Sequence, residues 1–109
     1  NAGMLIENIV AQMLVAAGHN LYFYSNSDKE EAENRMEIDF LIRKDNVTSR
    51  HNIIPIEAKS SSGYTTHSLN KCAQKFKEYI TLPTVLHPAD YKEDTDGKRY
   101  LPLYMTPLL

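Results

Sequence analysis

The chain has a single cysteine, Cys72, in 109 residues. A lone thiol excludes an internal disulfide framework and fits a reducing compartment. Glycine is scarce, and none of it forms a phosphate-cradling loop, so this segment is not expected to hydrolyse ATP on its own. Lys and Arg are missing from residues 1–28, and the whole chain carries a formal net charge of −2. Its pI of about 6.1 is not the basic footprint of a stand-alone DNA-binding protein. No apolar run approaches the roughly 20 residues that span a bilayer. No signal peptide is visible either, so no membrane partner and a cytoplasmic location are expected. The scattered histidines and one cysteine do not have zinc-site spacing. The serines of "SSSG" have no surrounding motif that would activate a nucleophile.

What is present reads as one domain spanning 1–109, long enough for a single core. In "GMLIENIVAQMLVAAG", Ile6, Ile9, Val10, Met13, Leu14 and Ala17 recur at helical spacing. They predict an amphipathic helix near residues 4–17, capped by Gly18. "NLYFYS" reads as a short aromatic strand and "SDKEEAENR" as a polar loop. "MEIDFLIR" alternates, which places Met36, Ile38, Phe40 and Ile42 on one face and Glu37, Asp39, Leu41 and Arg43 on the other. After the turn composition of "KDNVTSRHN" comes a third strand, "IIPIEAKS", where Pro55 suggests a strand start, bulge or edge. Ser68 suits the N-cap of a second helix over "LNKCAQKFKEYI", which buries Leu69, Cys72, Ala73, Phe76 and Ile80. "TVLH" and "RYLPLYM" predict two more strands around a polar turn, "PADYKEDTDGK". The expected class is α/β (α+β mixed), a mixed central sheet flanked by helices.

The third strand begins apolar and ends in Glu-Ala-Lys. Strand periodicity puts Glu57 and Lys59 on one face and Ile54, Ile56 and Ala58 on the other. If the second and third strands pair as an antiparallel hairpin, Asp39 meets Glu57 at roughly 5 Å between Cβ atoms. Two carboxylates that close need a cation, a shared proton or a lysine. At about 100° per residue, Glu7 lies at the margin of the first helix's apolar stripe, aimed toward the sheet.

This set of Glu7, Asp39, Glu57 and Lys59 resembles the PD-(D/E)XK, or restriction-endonuclease-like, superfamily. More narrowly, the chain looks like the nuclease-like domain at the C-terminus of prokaryotic AAA-type ATPases. The matching stretches are "GMLIENIVAQML", "EIDFLI", "IIPIEAKS", "SLNKCAQKF" and "YLPLY", in family order. Ile38 stands where the motif's name has proline. The resemblance implies an αβββαβ core and a Mg²⁺ or Mn²⁺ site on Asp39 and Glu57, with Glu7 assisting directly or through a water. It implies that Lys59 stabilises developing phosphate charge or orients the attacking water. The implied partners are nucleic acid, DNA ahead of RNA, and an N-terminal ATPase domain of the same parent chain. An opening without Met and an end inside an apolar segment fit a domain cut from a longer protein.

Each feature also has an ordinary reading. Glu57 and Lys59 alone would be a same-face salt bridge, Glu37 a solvated strand-end acid and Cys72 a core residue. Lys71 and Lys75 could form a phosphate-contacting ridge or a solvated helix face, and His67 a loop contact or nothing specific. The seven tyrosines read first as packing. Two functions follow: a metal-dependent nuclease, or a catalytically inactive binding, regulatory or docking module of an ATPase. Degenerate domains usually lose an acid or the lysine, and this chain keeps all of them.

Overall fold

The computed structural model describes residues 2–26, 35–44, 51–61 and 63–109. Most of the expected loop at 27–35 and most of the expected turn at 44–52 lie outside them. Helix α1 (Ala2–Ala16) is followed by strands β1 (Tyr22–Asn26), β2 (Met36–Arg43) and β3 (Ile53–Ala58). Helix α2 (His67–Lys75) leads to β4 (Thr84–His87), β5 (Lys92–Thr95) and β6 (Lys98–Pro102), and a 3-10 helix (Leu103–Leu108) closes the described chain. The strands form one six-stranded sheet in the order β1-β2-β3-β4-β6-β5. β1, β2 and β3 pair antiparallel, β3 to β4 and β4 to β6 parallel, and β5 to β6 antiparallel. The result is the expected mixed sheet with helices on both faces, in the order αβββαβ as far as β4.

Two cores lie on opposite faces. Val10 and Leu14 of α1 pack with Phe40, Ile42, Ile54, Ile56, Ala58, Leu86 and Leu101. Leu69 and Cys72 of α2 pack with Met36, Ile38, Val85 and Tyr100. α1 ends where Gly18, at φ 97°, lets the chain turn back. The Gly18 N–H donates to the Val15 carbonyl at 2.9 Å and the His19 N–H to the Leu14 carbonyl at 3.1 Å, which satisfies the last turn.

The alternation expected for β2 breaks at Asp39. Tyr24 sits opposite Ile38 and Tyr22 opposite Leu41, so β2 spends three residues where β1 spends two. This bulge changes the facing parity of the strand. Met36 and Ile38 therefore join the α2 core, with Leu41 against it, while Phe40 and Ile42 join the α1 core. They do not share one face.

Pro55 is neither at a strand start nor on an edge, but fully buried inside a central strand. The N–H groups of Ile53 and Lys59 point away from β2, toward the Tyr79 and Leu86 carbonyls, and that of Ala58 points toward β2. Pro55 N shares the first direction. It falls between the isolated bridge Ile53↔Ile80 and the first β4 pair, Ile56↔Thr84, where no ladder donor is required.

Other expectations are corrected. Ile9 and Ala17 are exposed, because α1 is apolar nearly all round and its spacing does not select one stripe. α2 begins at His67 with Thr66 in the N-cap position and ends at Lys75, and Ser68 Oγ instead accepts the Glu37 N–H at 3.1 Å. The segment after Phe76 leaves the helix because Tyr79 and Thr81 hydrogen-bond to Ile53. The polar turn contains β5, and "LYM" belongs to the 3-10 helix, not to a strand.

Leu14→Ala should lower stability by about 2–5 kcal/mol, and Val15→Ala, one residue on but 58% exposed, by no more than about 0.5 kcal/mol. Urea denaturation of both variants measures the contrast.

Candidate functional site

The bulge determines where the first acid goes. Asp39 lies one step beyond the last β2–β3 pair, Phe40↔Ile56. Its Oδ2 accepts the Ala58 N–H at 2.8 Å, so a side chain substitutes for a backbone carbonyl at the end of the ladder. That bond fixes the carboxylate beside the Glu57–Ala58 peptide. Only one of its two oxygens is engaged among the described residues.

On the α1 face, Glu7, Glu37 and Asp39 line a common cavity of about 280 Å³ with Asn8, Ser25 and Phe23. Glu7 and Glu37 are exposed and Asp39 is half-buried. Glu57 points the other way, toward the α2 face, and is only 4% exposed. Its Oε2 takes the Lys59 ammonium at 3.2 Å. The four expected residues are thus gathered around the end of β3, as a cavity acid pair on one side and an ion pair on the other. Among the described residues, no group of three or more His, Cys, Asp or Glu side chains is disposed to hold one metal ion.

The electrostatics couple the two sides. Burial pushes the Asp39 pKa from its ordinary 3.8 to about 7. The Ala58 N–H opposes that rise, the charges of Glu7 and Glu57 add to it, and Lys59 draws it back. Burial also raises Glu57, against the pull of its Lys59 charge and hydrogen bond, with Glu37 adding to the rise. Two desolvated acids with one lysine between them form a site short of positive charge. Carboxylate oxygens are the donors a hard divalent cation prefers, and Asp39, Glu7 and Glu37 present them to one cavity while Glu57 faces away from it.

Residues that the sequence did not single out complete the surroundings. Ala58 pairs with Leu86, so Lys59 lies level with His87, which is 3% exposed. His87 Nε2 lies 3.1 Å from the Asp90 carbonyl, which can only accept, so that nitrogen carries the proton. Nδ1 therefore accepts from the Tyr64 hydroxyl at 3.0 Å, which ties the β3–α2 connection to β4. The only sequence signal for this is a histidine ending an otherwise buried strand. Lys71 donates to the Arg35 carbonyl at 3.0 Å and Lys75 lies 5.6 Å from the Phe76 ring centre, so both expected ridge lysines have local roles. His67 opens α2 and is exposed. Cys72 is buried in the core, with its thiol pushed up to about 11 by burial and then by the Glu57 charge, which is unsuited to a nucleophile. Among the described residues, no helix is long and apolar enough to cross a membrane.

The sign of the Asp39 linkage is fixed by its raised pKa. Between about pH 4 and pH 7 the folded protein holds a proton that the unfolded chain has released, so its contribution to stability falls as pH rises through that window. Asp39→Asn, which keeps an oxygen for the Ala58 N–H, should stabilise the protein at about pH 8 by about 2 kcal/mol after solvent screening. The gain should vanish near pH 4. Denaturation midpoints of the two proteins across this range test it.

A family model described as "Domain of unknown function (DUF4143)" matches residues 2–106. The chain belongs to this family. No curated protein and no solved structure matches it.

Proposed function

We propose that this member of the DUF4143 family carries a Mg²⁺- or Mn²⁺-dependent phosphodiesterase site of the PD-(D/E)XK kind, attached to an ATPase and acting on nucleic acid. The observation that carries the proposal is the Asp39 carboxylate, held against β3 by the Ala58 N–H while burial raises its pKa to about 7 and the charges of Glu7 and Glu57 add to that rise. Asp39 would hold the ion, with Glu7 and Glu37 lining the same cavity, and Glu57 would join it only by turning from the α2 face around the end of β3. When bound, a divalent ion supplies Lewis acidity toward a phosphodiester oxygen and a more acidic water.

The chain's own residues do the rest. Asp39 would have to be ionised to hold the ion, and its raised pKa makes that binding more favourable as pH rises. Lys59 opposes the rise that burial imposes on the Glu57 pKa, and its side chain, 26% exposed, offers the ammonium to a phosphoryl oxygen. The hydrogen bond from half-buried Tyr64 to buried His87 ties the approach to α2 to the end of β4. Water attacks phosphorus and gives up a proton to solvent as the ester P–O bond breaks, and the leaving oxygen takes a proton from solvent. DNA is favoured over RNA only by the resemblance. The buried, free Cys72 is compatible with a cytoplasmic setting.

A second reading, an inactive docking or regulatory module, is favoured by a different observation. Met4, Leu5 and Val15 leave the outer face of α1 apolar and open, as a surface that meets a partner would be.

Calorimetric titration of Mn²⁺ should show one saturable site that Asp39→Asn removes. Lys59→Ala should keep that site, yet lower DNA cleavage by the parent protein by roughly 10²–10³-fold. Silence at about millimolar Mn²⁺, or cleavage unaffected by Lys59→Ala, would sink the enzymatic reading.

A further inference from the structure

A second polar site lies on the α2 face at the opposite end of the strands. Asn70, Gln74 and Lys77 of α2 and its extension, Thr81, and Asp96 and Lys98 of the β5–β6 hairpin line a groove of about 490 Å³. It shares no lining residue with the Asp39 cavity. The hairpin turn that closes one wall depends on Asp96 at φ 54° and Gly97 at φ 71°, which aim Lys98 inward as β6 begins.

Lys98 is the informative residue. It is 5% exposed, an unusual position for an ammonium, and its Nζ donates at 2.7 Å to the Asn70 Oδ1. A buried charge is normally matched by an opposite one. Here, among the described residues, the partner is a neutral amide oxygen, and Asp96 on the rim does not pair with the ammonium. An ammonium has three donors and Asn70 takes one. Because its oxygen is committed to Lys98, Asn70 has its NH₂ group free to donate as well. Lys77 adds a second positive charge and Thr81 a hydroxyl. These donors line the groove together with one acid, Asp96, at its rim.

We propose that this groove binds a phosphate group carried on a larger organic molecule, with Lys98 and Asn70 as its anchor and Lys77 at its rim. A tetrahedral phosphate has enough acceptor oxygens to take two ammonium groups and an amide together, whereas a carboxylate has two. The groove volume exceeds that of the phosphate and is in the range of small-molecule sites, leaving room for an attached sugar. A free nucleotide and a nucleic-acid strand both present this chemistry. The proposal does not depend on metal binding at Asp39.

The test is titration of the ¹⁵N-labelled protein, at constant ionic strength, with inorganic phosphate, a nucleoside monophosphate and a short single-stranded oligonucleotide. Saturable shifts at Asn70, Lys77 and Lys98 are expected, larger at equal concentration for the nucleotide than for phosphate alone. Tighter binding of the monophosphate assigns the groove to a small ligand, and tighter binding of the oligonucleotide to a strand. Asn70→Asp, at an exposed position that should leave the fold intact, gives Lys98 its own carboxylate. It should raise the thermal midpoint and weaken the anion at least about tenfold, while Lys77→Ala weakens it by less. No saturable shift at these residues below about 50 mM phosphate, or an Asn70→Asp protein that binds like the parent, would overturn the proposal.

Discussion

The hydrogen bond from the Ala58 N–H to the Asp39 carboxylate is the constraint on which the rest of the site depends. A β-ladder would ordinarily continue from Phe40↔Ile56 by backbone pairing alone. The extra residue in β2 interrupts it, and the Asp39 side chain satisfies the donor that the interruption would otherwise leave without a partner. The same bulge turns Met36 and Ile38 toward α2 and leaves Phe40 and Ile42 toward α1. One local irregularity thus feeds both cores and fixes a charged group between them.

That position is unfavourable for a carboxylate, and the surroundings do not relieve it. Desolvation and the neighbouring acids outweigh the hydrogen bond and Lys59, which is why the proton is held to about pH 7. Glu57 has a better arrangement, since its cation is adjacent and half-sheltered. A fold selected for stability alone would replace this set with apolar side chains of similar volume. The unfavourable electrostatics are concentrated at one point, in a sheet otherwise regular from Ile56 through Val85 to Tyr100, and such points are where the proposed function is best sought.

Much of the fold was legible because burial imposes periodicity. The β2 and β3 segments, their antiparallel pairing and the buried Leu69 and Cys72 of α2 follow from alternating or helically spaced apolar residues. The misreadings also have physical causes. β5 is an edge strand, paired on one side to β6, and "KEDT" carries no apolar alternation to mark it. The segment after Pro102 has strand-like composition, but Leu103 and Met105 reach the α1 core through a 3-10 turn stabilised by the Thr106 hydroxyl on the Leu103 carbonyl. α1 is so apolar that spacing did not distinguish Val10, which is buried, from Ile9, which is not.

By itself the sequence determined that Glu57 and Lys59 share a face, because side chains alternate every residue along a strand, but the β2 bulge puts Asp39 in the cavity on the α1 face and not beside Glu57. The sequence also determined the helix ends that depend on local chemistry, as at Gly18. Only the tertiary structure decided which oxygen of which acid meets a backbone donor, that Glu37 joins Glu7 and Asp39 around one cavity, and that Lys98 lies buried on a neutral amide. These outcomes arise from a one-residue bulge and from contacts between segments distant in sequence. Local periodicity carries no information about either, because both are set by which surfaces the packed sheet brings together.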